Sequence, residues 1–328
     1  MDAKTAAQRS FLLILQLSVT AAALYYILHD PQKRAQMAAA FRKSDWHWVV
    51  MAWGIYGVVE AMAALRWLIL LKIQGFRVPR LRAIAILFVG EFFTICTPGL
   101  IGGDAMRIFY LARAAPEQKI DAGILVLMDR LVGMAALISL ATGVLALRYD
   151  WLNHSTAAAA KLVHGMMGIL AFGAVALLLA LMVARTGALA GWGLVKKLAP
   201  VTTALHQYGK SWRLAFSAFV TTFVAHGCYY ATYCCAARAL AHASQPAPSF
   251  GDVFSVMPVV NTLVAMPVSL GGLGMRESLF QVLLHDLTGT PEAIGALIGM
   301  LGYAIQASWG IFGAGAFLSH QFLSKKPL

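Results

Sequence analysis

Pro98-Gly99-Leu100-Ile101-Gly102-Gly103-Asp104-Ala105-Met106-Arg107 recurs later in the chain as Pro267-Val268-Ser269-Leu270-Gly271-Gly272-Leu273-Gly274-Met275-Arg276. Both stretches read P-x-x-x-G-G-x-x-M-R, at a constant offset of 169 residues (267 − 98 and 276 − 107), so they align without a gap. Ala115-Pro116-Glu117 then returns as Thr290-Pro291-Glu292 before the next apolar run of each half. Residue frequencies give a chance recurrence of about 0.4%, several-fold more because the template is chosen after inspection, and duplication is still favoured. Each copy interrupts an apolar stretch with proline and glycine, so each predicts a broken or re-entrant helical hairpin.

The surroundings of the two breaks require a membrane. The chain has 328 residues, 60% of them hydrophobic and 12% charged, and a mean hydropathy of +0.71. A water-soluble domain has no core large enough for that composition. Apolar runs of the roughly 20 residues needed to cross hydrocarbon occupy Phe11 to Leu28, Trp46 to about Leu71, Ala122 to Leu147, Leu162 to Ala184, Leu214 to Leu240 and Ala293 to Leu318. The expected architecture is a single all-α polytopic membrane domain over 1–328, with a first repeat at 46–147 and a second, inverted repeat at 212–320. The first apolar run, behind Lys4 and Arg9, is long for a signal peptide and is read as a retained helix. Residues 31–45 carry Lys33, Arg34, Arg42 and Lys43 around a short apolar core, the pattern of an interfacial helix.

The net charge of +12 would suggest nucleic acid in a soluble protein, but here Lys and Arg flank apolar runs and report topology. Positive loops near residues 77 and 200, with both termini, fall in the cytoplasm, and residues 242–251 fall outside. Basic residues 31–45 conflict with this scheme, which sends them outside. The extra run at 162–184 shifts parity, so the two breaks enter from opposite faces. Paired interrupted segments in inverted halves are a sequence pointer to a transport site at the bilayer midplane.

The chemistry expected there is anion binding. Pro98 and Pro267 end the first legs; Gly99, Gly102 and Gly103, with Gly271, Gly272 and Gly274, permit the turns and shape a cavity. The second legs then begin with free N–H groups facing the break, and Arg107 and Arg276 follow about one turn inside, as seats for a headgroup phosphate. The bland alternatives are that Asp104 caps a helix and that both arginines snorkel. Intramembrane charge at the same place in both halves favours function for the arginines. Glu60, Glu91, Asp129, Arg130, His226 and Glu277 also lie in apolar runs. Glu91, Asp104, Asp129, Arg130, Asn261 and Glu277 are assigned to a polar network lining the cavity. Glu91 is two turns before Pro98, where it can pair an arginine or take up a proton. Asn261 is six residues before Pro267, within reach of the second break. Asp129 and Arg130 point about 100° apart and need partners elsewhere. Tyr229 and Tyr230 read as packing residues, and His226 as an interior hydrogen-bonded histidine.

Cys96, Cys228, Cys234 and Cys235 have neither zinc nor disulfide-framework spacing, so no metal is expected. No G-x-x-x-x-G-K-[ST] loop occurs, and no cofactor is expected.

At Glu91 to Arg107, Asp129-Arg130 and Pro267 to Glu277 the chain resembles the lysylphosphatidylglycerol synthase transmembrane-region family, also described as flippase-like membrane proteins. The resemblance covers nearly the whole chain. Similar proteins include the flippase half of multiple peptide resistance factors and hopanoid-associated membrane proteins. It implies two inverted bundles around a lipid-accessible cavity. The chain ends at Leu328, without the soluble domain that transfers an aminoacyl group, so lysyl transfer is not expected. The family does not share one lipid. The expectation is a translocase of an anionic or phosphate-bearing lipid in the bacterial cytoplasmic membrane, not an enzyme and with no nucleic-acid partner. Two alternatives stand beside it: a membrane transferase using His226, and a noncatalytic partner of a separate lipid-synthesis enzyme.

Overall fold

Helix length and apolar composition dominate the architecture. A computed structural model describes residues 3–96, 101–153, 156–186, 193–243, 246–266, 269 and 271–319. It is 89% helical, with no strand among the described residues. Among the described residues twelve α-helices follow one another: α1 Ala3–Leu28, α2 Pro31–Arg42, α3 Trp46–Ile73, α4 Arg80–Cys96, α5 Ile101–Ala114, α6 Lys119–Asn153, α7 Ala157–Thr186, α8 Gly193–Lys210, α9 Trp212–Ala239, α10 Phe250–Val264, α11 Met275–Thr288 and α12 Glu292–Leu318. Among the described residues, α3, α6, α7, α9 and α12 contain stretches long and apolar enough to cross a bilayer. The protein is an all-α polytopic membrane protein.

Local chemistry sets several helix ends. Asp30 accepts a hydrogen bond from the Gln32 amide at 2.8 Å, and Pro31 occupies the first turn of α2. Asp45 caps α3 through the His47 amide at 3.0 Å, and this contact with His47 lowers the Asp45 pKa. Ser249 and Asp252 form a reciprocal capping box on α10, and Gly289 in the left-handed region closes α11.

Segments read from sequence as loops gain structure where an apolar face can be buried. The basic stretch before Trp212 forms α8, whose Ala204 and Tyr208 pack into a core with Trp67, Leu87 and Leu125. Residues 31–42 form the expected helix α2, which buries Met37 and Ala40.

Polar contacts between helix ends show which connections share a side of the bundle. The Asp45 amide donates to the Ala239 carbonyl at 2.9 Å, Lys33 pairs with Glu292 at 2.5 Å, Arg148 pairs with Asp252 at 2.9 Å, and the Thr156 hydroxyl donates to Asp286. The basic 31–45 segment therefore lies with residues 239–252 and 286–292, and part of its charge is neutralised there.

α12 is the spine between the two broken regions. Gly295 and Gly299 let it approach α11, where an added Cβ would come within 2.8 Å of the Phe280 carbonyl oxygen and 3.1 Å of the Glu277 Cα. At its other end Gly310 and Gly313 face Ile95 and Phe88 of α4. Small residues at such positions let helix backbones pack closely inside a membrane.

Candidate functional site

The first broken region lies between α4 and α5. Pro98 and Gly99 are outside the described residues. Gly102 and Gly103 correct the sequence expectation: α5 begins at Ile101, so both sit inside its first turn instead of forming the bend. Gly103 serves close approach, since a Cβ there would collide with the Thr94 hydroxyl and the Gly90 carbonyl oxygen of α4. Gly90 performs the same service in reverse, because its missing side chain leaves room for the Arg107 side chain, 2.5 Å from where a Cβ would stand. The glycines draw two helices together and let an arginine pass between them.

Arg107 consequently enters the interior, 4% exposed, almost two turns into α5. Its Nη2 donates to Glu91 at 2.6 Å, and its Nη1 lies 3.6 Å from Asp129 and 3.9 Å from Asp104. Its guanidinium is 5.9 Å from the Trp67 ring centroid. Asp129 is held from the other side by Arg66 at 2.7 Å. Asp104 receives two hydrogen bonds from Arg130, at 2.9 and 2.7 Å. Arg66, Arg107 and Arg130 thus face Glu91, Asp104 and Asp129, three charges of each sign, drawn from α3, α4, α5 and α6. The Arg130 side chain is 49% exposed and carries this network to the outer surface of the helices.

Of the expected polar network, Glu91, Asp104, Asp129 and Arg130 meet here around Arg107, which was expected as a headgroup seat; Asn261 and Glu277 lie at the second break, and Arg66, which sequence reasoning missed, completes the cluster. Arg66 was readable as a charge near the end of the long apolar run from Trp46 to Ile73. Glu60, on the same helix, is 5% exposed with Oε2 lacking a hydrogen-bond partner. Its carboxyl group is hydrogen-bonded to Tyr56, and its charged neighbours are Glu91, Arg107 and Arg66.

The second broken region, between α10 and α11, has the same sequence and a different backbone. Pro267 is outside the described residues. Gly271, Gly272 and Gly274 have φ of 56°, 82° and 78°, in the region that side chains disfavour, and they make the turn that leads into α11. Gly274 also seats α1: a Cβ there would stand 2.6 Å from the Cβ of Ala23.

Arg276 is the second residue of α11, in its first turn, and is 4% exposed. It lies 4.8 Å from the centroid of the Tyr303 ring, and its Nη1 has no hydrogen-bond partner among the described residues. Glu277, 1% exposed, lies near the Gly274 amide and Arg276, with neither carboxyl oxygen hydrogen-bonded among the described residues. Asn261 reaches the Tyr230 hydroxyl on α9. The two arginines therefore differ: Arg107 is ringed by three carboxylates and leaves Nε unpartnered among the described residues, whereas Arg276 faces an aromatic ring, has Glu277 as its carboxylate neighbour and leaves Nη1 unpartnered.

Tyrosines occupy the space between the two regions. Tyr56 of α3 and Tyr229 of α9 have ring centroids 6.4 Å apart, and the Tyr229 hydroxyl donates to the Tyr233 hydroxyl at 3.4 Å. Tyr303 has Arg276, Glu277, Tyr229 and Cys96 as electrostatic neighbours, the last being the end of α4. His226 sits in α9 with its ring Nε2 3.3 Å from the Gly133 carbonyl oxygen, an interior hydrogen-bonded position. Two open hollows lie elsewhere. One, of about 230 Å³, is lined by residues including Gln74, Gln118, Asp121 and Gln207. The other, of about 260 Å³, is lined by residues including Gln36, Lys43 and Pro291. Among the described residues no group of His, Cys, Asp and Glu is arranged to hold a metal ion.

Residues 13–315 match the profile of one family, the lysylphosphatidylglycerol synthase TM region. The chain belongs to that family. Membership accounts for the multi-pass helical bundle and ties this lysylphosphatidylglycerol synthase TM-region protein to lipid modification or translocation. No curated protein matches it.

Proposed function

We propose that this lysylphosphatidylglycerol synthase TM-region protein moves a phosphate-bearing lipid between the leaflets of the bacterial cytoplasmic membrane, with Arg276 as the principal headgroup seat. The observation that carries this reading is a guanidinium only 4% exposed, with Nη1 unpartnered among the described residues, in the first turn of α11 beside a glycine turn. A cation kept in a membrane interior without full hydrogen bonding is costly, and function is the usual reason for retaining it. A phosphate oxygen supplies the missing acceptor beside the neighbouring Glu277, and the helix start favours an anion. Arg107 is the second headgroup contact, sharing its carboxylate partners when a lipid arrives. Asp104 and half-exposed Arg130 form the side of the network open to lipid.

The inverted-repeat reading belongs with this proposal. α10 begins and α11 ends beside the connections at 239–252 and 286–292. The chain instead enters α4 after Gln74 and leaves α5 towards Gln118 and Asp121, which line one hollow with α8. Two hairpins dipping in from opposite faces fit these neighbours, with basic α8 and the residue-77 loop on the cytoplasmic side. The pairing of Lys33 with Glu292 accommodates the basic 31–45 segment on the other side.

The test is reconstitution in vesicles with labelled phospholipid or polyprenyl phosphate. Leaflet exchange by the wild type and its loss in Arg107→Ala plus Arg276→Ala is the expected result. Equal exchange in both removes the headgroup role. Absence of exchange together with stable capture of a lipid-synthesis enzyme supports the noncatalytic-partner reading instead.

A further inference from the structure

The polar network around Arg107 is electrically complete without Glu60. Arg66, Arg107 and Arg130 already meet Glu91, Asp104 and Asp129 one for one. Glu60 adds a fourth carboxyl group at 5% exposure, with Oε2 unpartnered among the described residues. While Arg107 stays committed to Glu91, Asp129 and Asp104, or to a phosphate, an ionised carboxylate there is an uncompensated negative charge among apolar helices, which is costly. A neutral carboxyl group removes that charge, and it sits beside Glu91, the partner it would compete with for Arg107.

We infer that Glu60 is the proton-carrying residue that couples lipid movement to a proton gradient. This rests on the translocase reading above and adds its energy source. The groups facing Glu60 define the step. From its own helix come Tyr56, one turn earlier, and Arg66; from α4, Glu91; from α5, Arg107. Behind these, α6 holds Arg66 through Asp129, and α9 brings Tyr229 to Tyr56 and His226 to Arg66. α12 contributes uncharged Trp309 against Gly57 and Tyr56.

When lipid phosphate engages the arginines, it draws guanidinium charge away from Glu91. When it leaves, Arg107 becomes available to two carboxylates. In the loaded state the Glu60 O–H bond is intact. On unloading, that bond breaks, the proton passes to water on one face, and the new carboxylate shares Arg107 with Glu91. Reloading takes one proton from water on the opposite face and re-forms the bond. One proton moves per cycle and no other reactant is consumed. The tyrosines from Tyr56 to Tyr233 give hydroxyl groups along the interior between the two broken regions.

Two measurements on the full chain test this. Infrared difference spectra of purified protein across a pH titration should show the carbonyl band of a protonated carboxyl group. In the Glu277→Gln background, which removes the other buried carboxyl group, that band should vanish on adding Glu60→Gln and persist on adding Glu91→Gln. Absence of the band from wild type, or its persistence when Glu60→Gln is added to that background, overturns the assignment. Thermal transitions in detergent identify any variant that has failed to fold, and Tyr56→Phe supplies a milder change expected to shift the pH midpoint of the band. In vesicles carrying labelled polyprenyl phosphate, an imposed pH gradient should change wild-type exchange several-fold. Glu60→Gln should exchange at one rate with or without the gradient. A gradient-insensitive wild type overturns the coupling. Failure of the wild type to exchange lipid at any pH sinks the translocase reading and the coupling with it, while the spectra still report independently whether Glu60 carries the proton.

Discussion

Replacing Arg107 with alanine tests whether the first broken region is held together by a compensated charge network. Three carboxylates lie within 4 Å of that guanidinium: Glu91 at 2.6 Å, Asp129 at 3.6 Å and Asp104 at 3.9 Å. They do not suffer equally. Asp129 keeps Arg66 at 2.7 Å, and Asp104 keeps Arg130 at 2.7 Å, so Glu91 is the one left without its ion-pair partner. Breaking a buried ion pair from one side costs about 3–5 kcal/mol. With two of three acids still partnered, the low end applies, about 3 kcal/mol. The Glu91 side chain is 29% exposed, which moderates the cost further. Glu91→Gln in the Arg107→Ala background should recover about 1–2 kcal/mol by removing the orphaned charge, a coupling within the usual range for contacting residues. Thermal and denaturant unfolding of the detergent-solubilised protein, read by near-ultraviolet dichroism, measures each corner of the cycle. If Glu91→Gln instead adds its own full penalty to Arg107→Ala, the two residues act independently and the network argument is wrong.

Three further outcomes follow from named contacts. Gly103→Ala drives a methyl group into Thr94 and the Gly90 carbonyl, so it should destabilise by about 1–3 kcal/mol and loosen α4 from α5, seen as faster hydrogen exchange in both helices. Gly274→Ala meets a φ of 78° and Ala23 of α1, and should cost about 1–3 kcal/mol in thermal unfolding, partly relieved by Ala23→Gly. Lys33 donates to Glu292, which raises its pKa, so the pair contributes while Lys33 is charged and its contribution fades as pH rises through and above the ordinary lysine range. Being partly exposed, it is worth less than about 1 kcal/mol, and Lys33→Met should shift the unfolding midpoint little at neutral pH and less still in strong alkali.

Much of the architecture was legible because hydrophobic length is a strong signal in membranes. The runs beginning at Trp46, Leu214 and Ala293 lie within α3, α9 and α12, with ends moved by a few residues. α8 was less legible because it is amphipathic, with lysines that resemble a loop until its apolar face finds Trp67 and Leu125. In the site, Glu91, Asp104, Asp129 and Arg130 stood out as charges where charge is expensive. Their pairing did not. Arg66 and Asp129 are separated by 63 residues, and Arg130 and Asp104 by 26, so only the packing of α3, α5 and α6 shows that adjacent Asp129 and Arg130 serve different partners.

The repeat shows a different limit of sequence reasoning. P-x-x-x-G-G-x-x-M-R appears twice, and the shared glycines suggested two similar bends. In the first copy Asp104 follows the glycine pair and takes both hydrogen bonds from Arg130 within the first turn of α5. In the second copy Leu273-Gly274 occupies the matching position and the next one, and all three glycines there adopt positive φ. An aspartate at a helix start favours helix by its charge and its capping capacity, while Leu-Gly offers neither and a third glycine permits the turn to persist. The helix therefore begins earlier in the first copy, Arg107 is carried deeper along α5, and it meets the carboxylates of α4 and α6. In the second copy the helix begins late, and Arg276 remains in its first turn with Tyr303 before it. Two substitutions after the glycine pair, Leu273 for Asp104 and Gly274 for Ala105, thus account for one arginine with three acids around it and another in the first turn of its helix with Nη1 unpartnered.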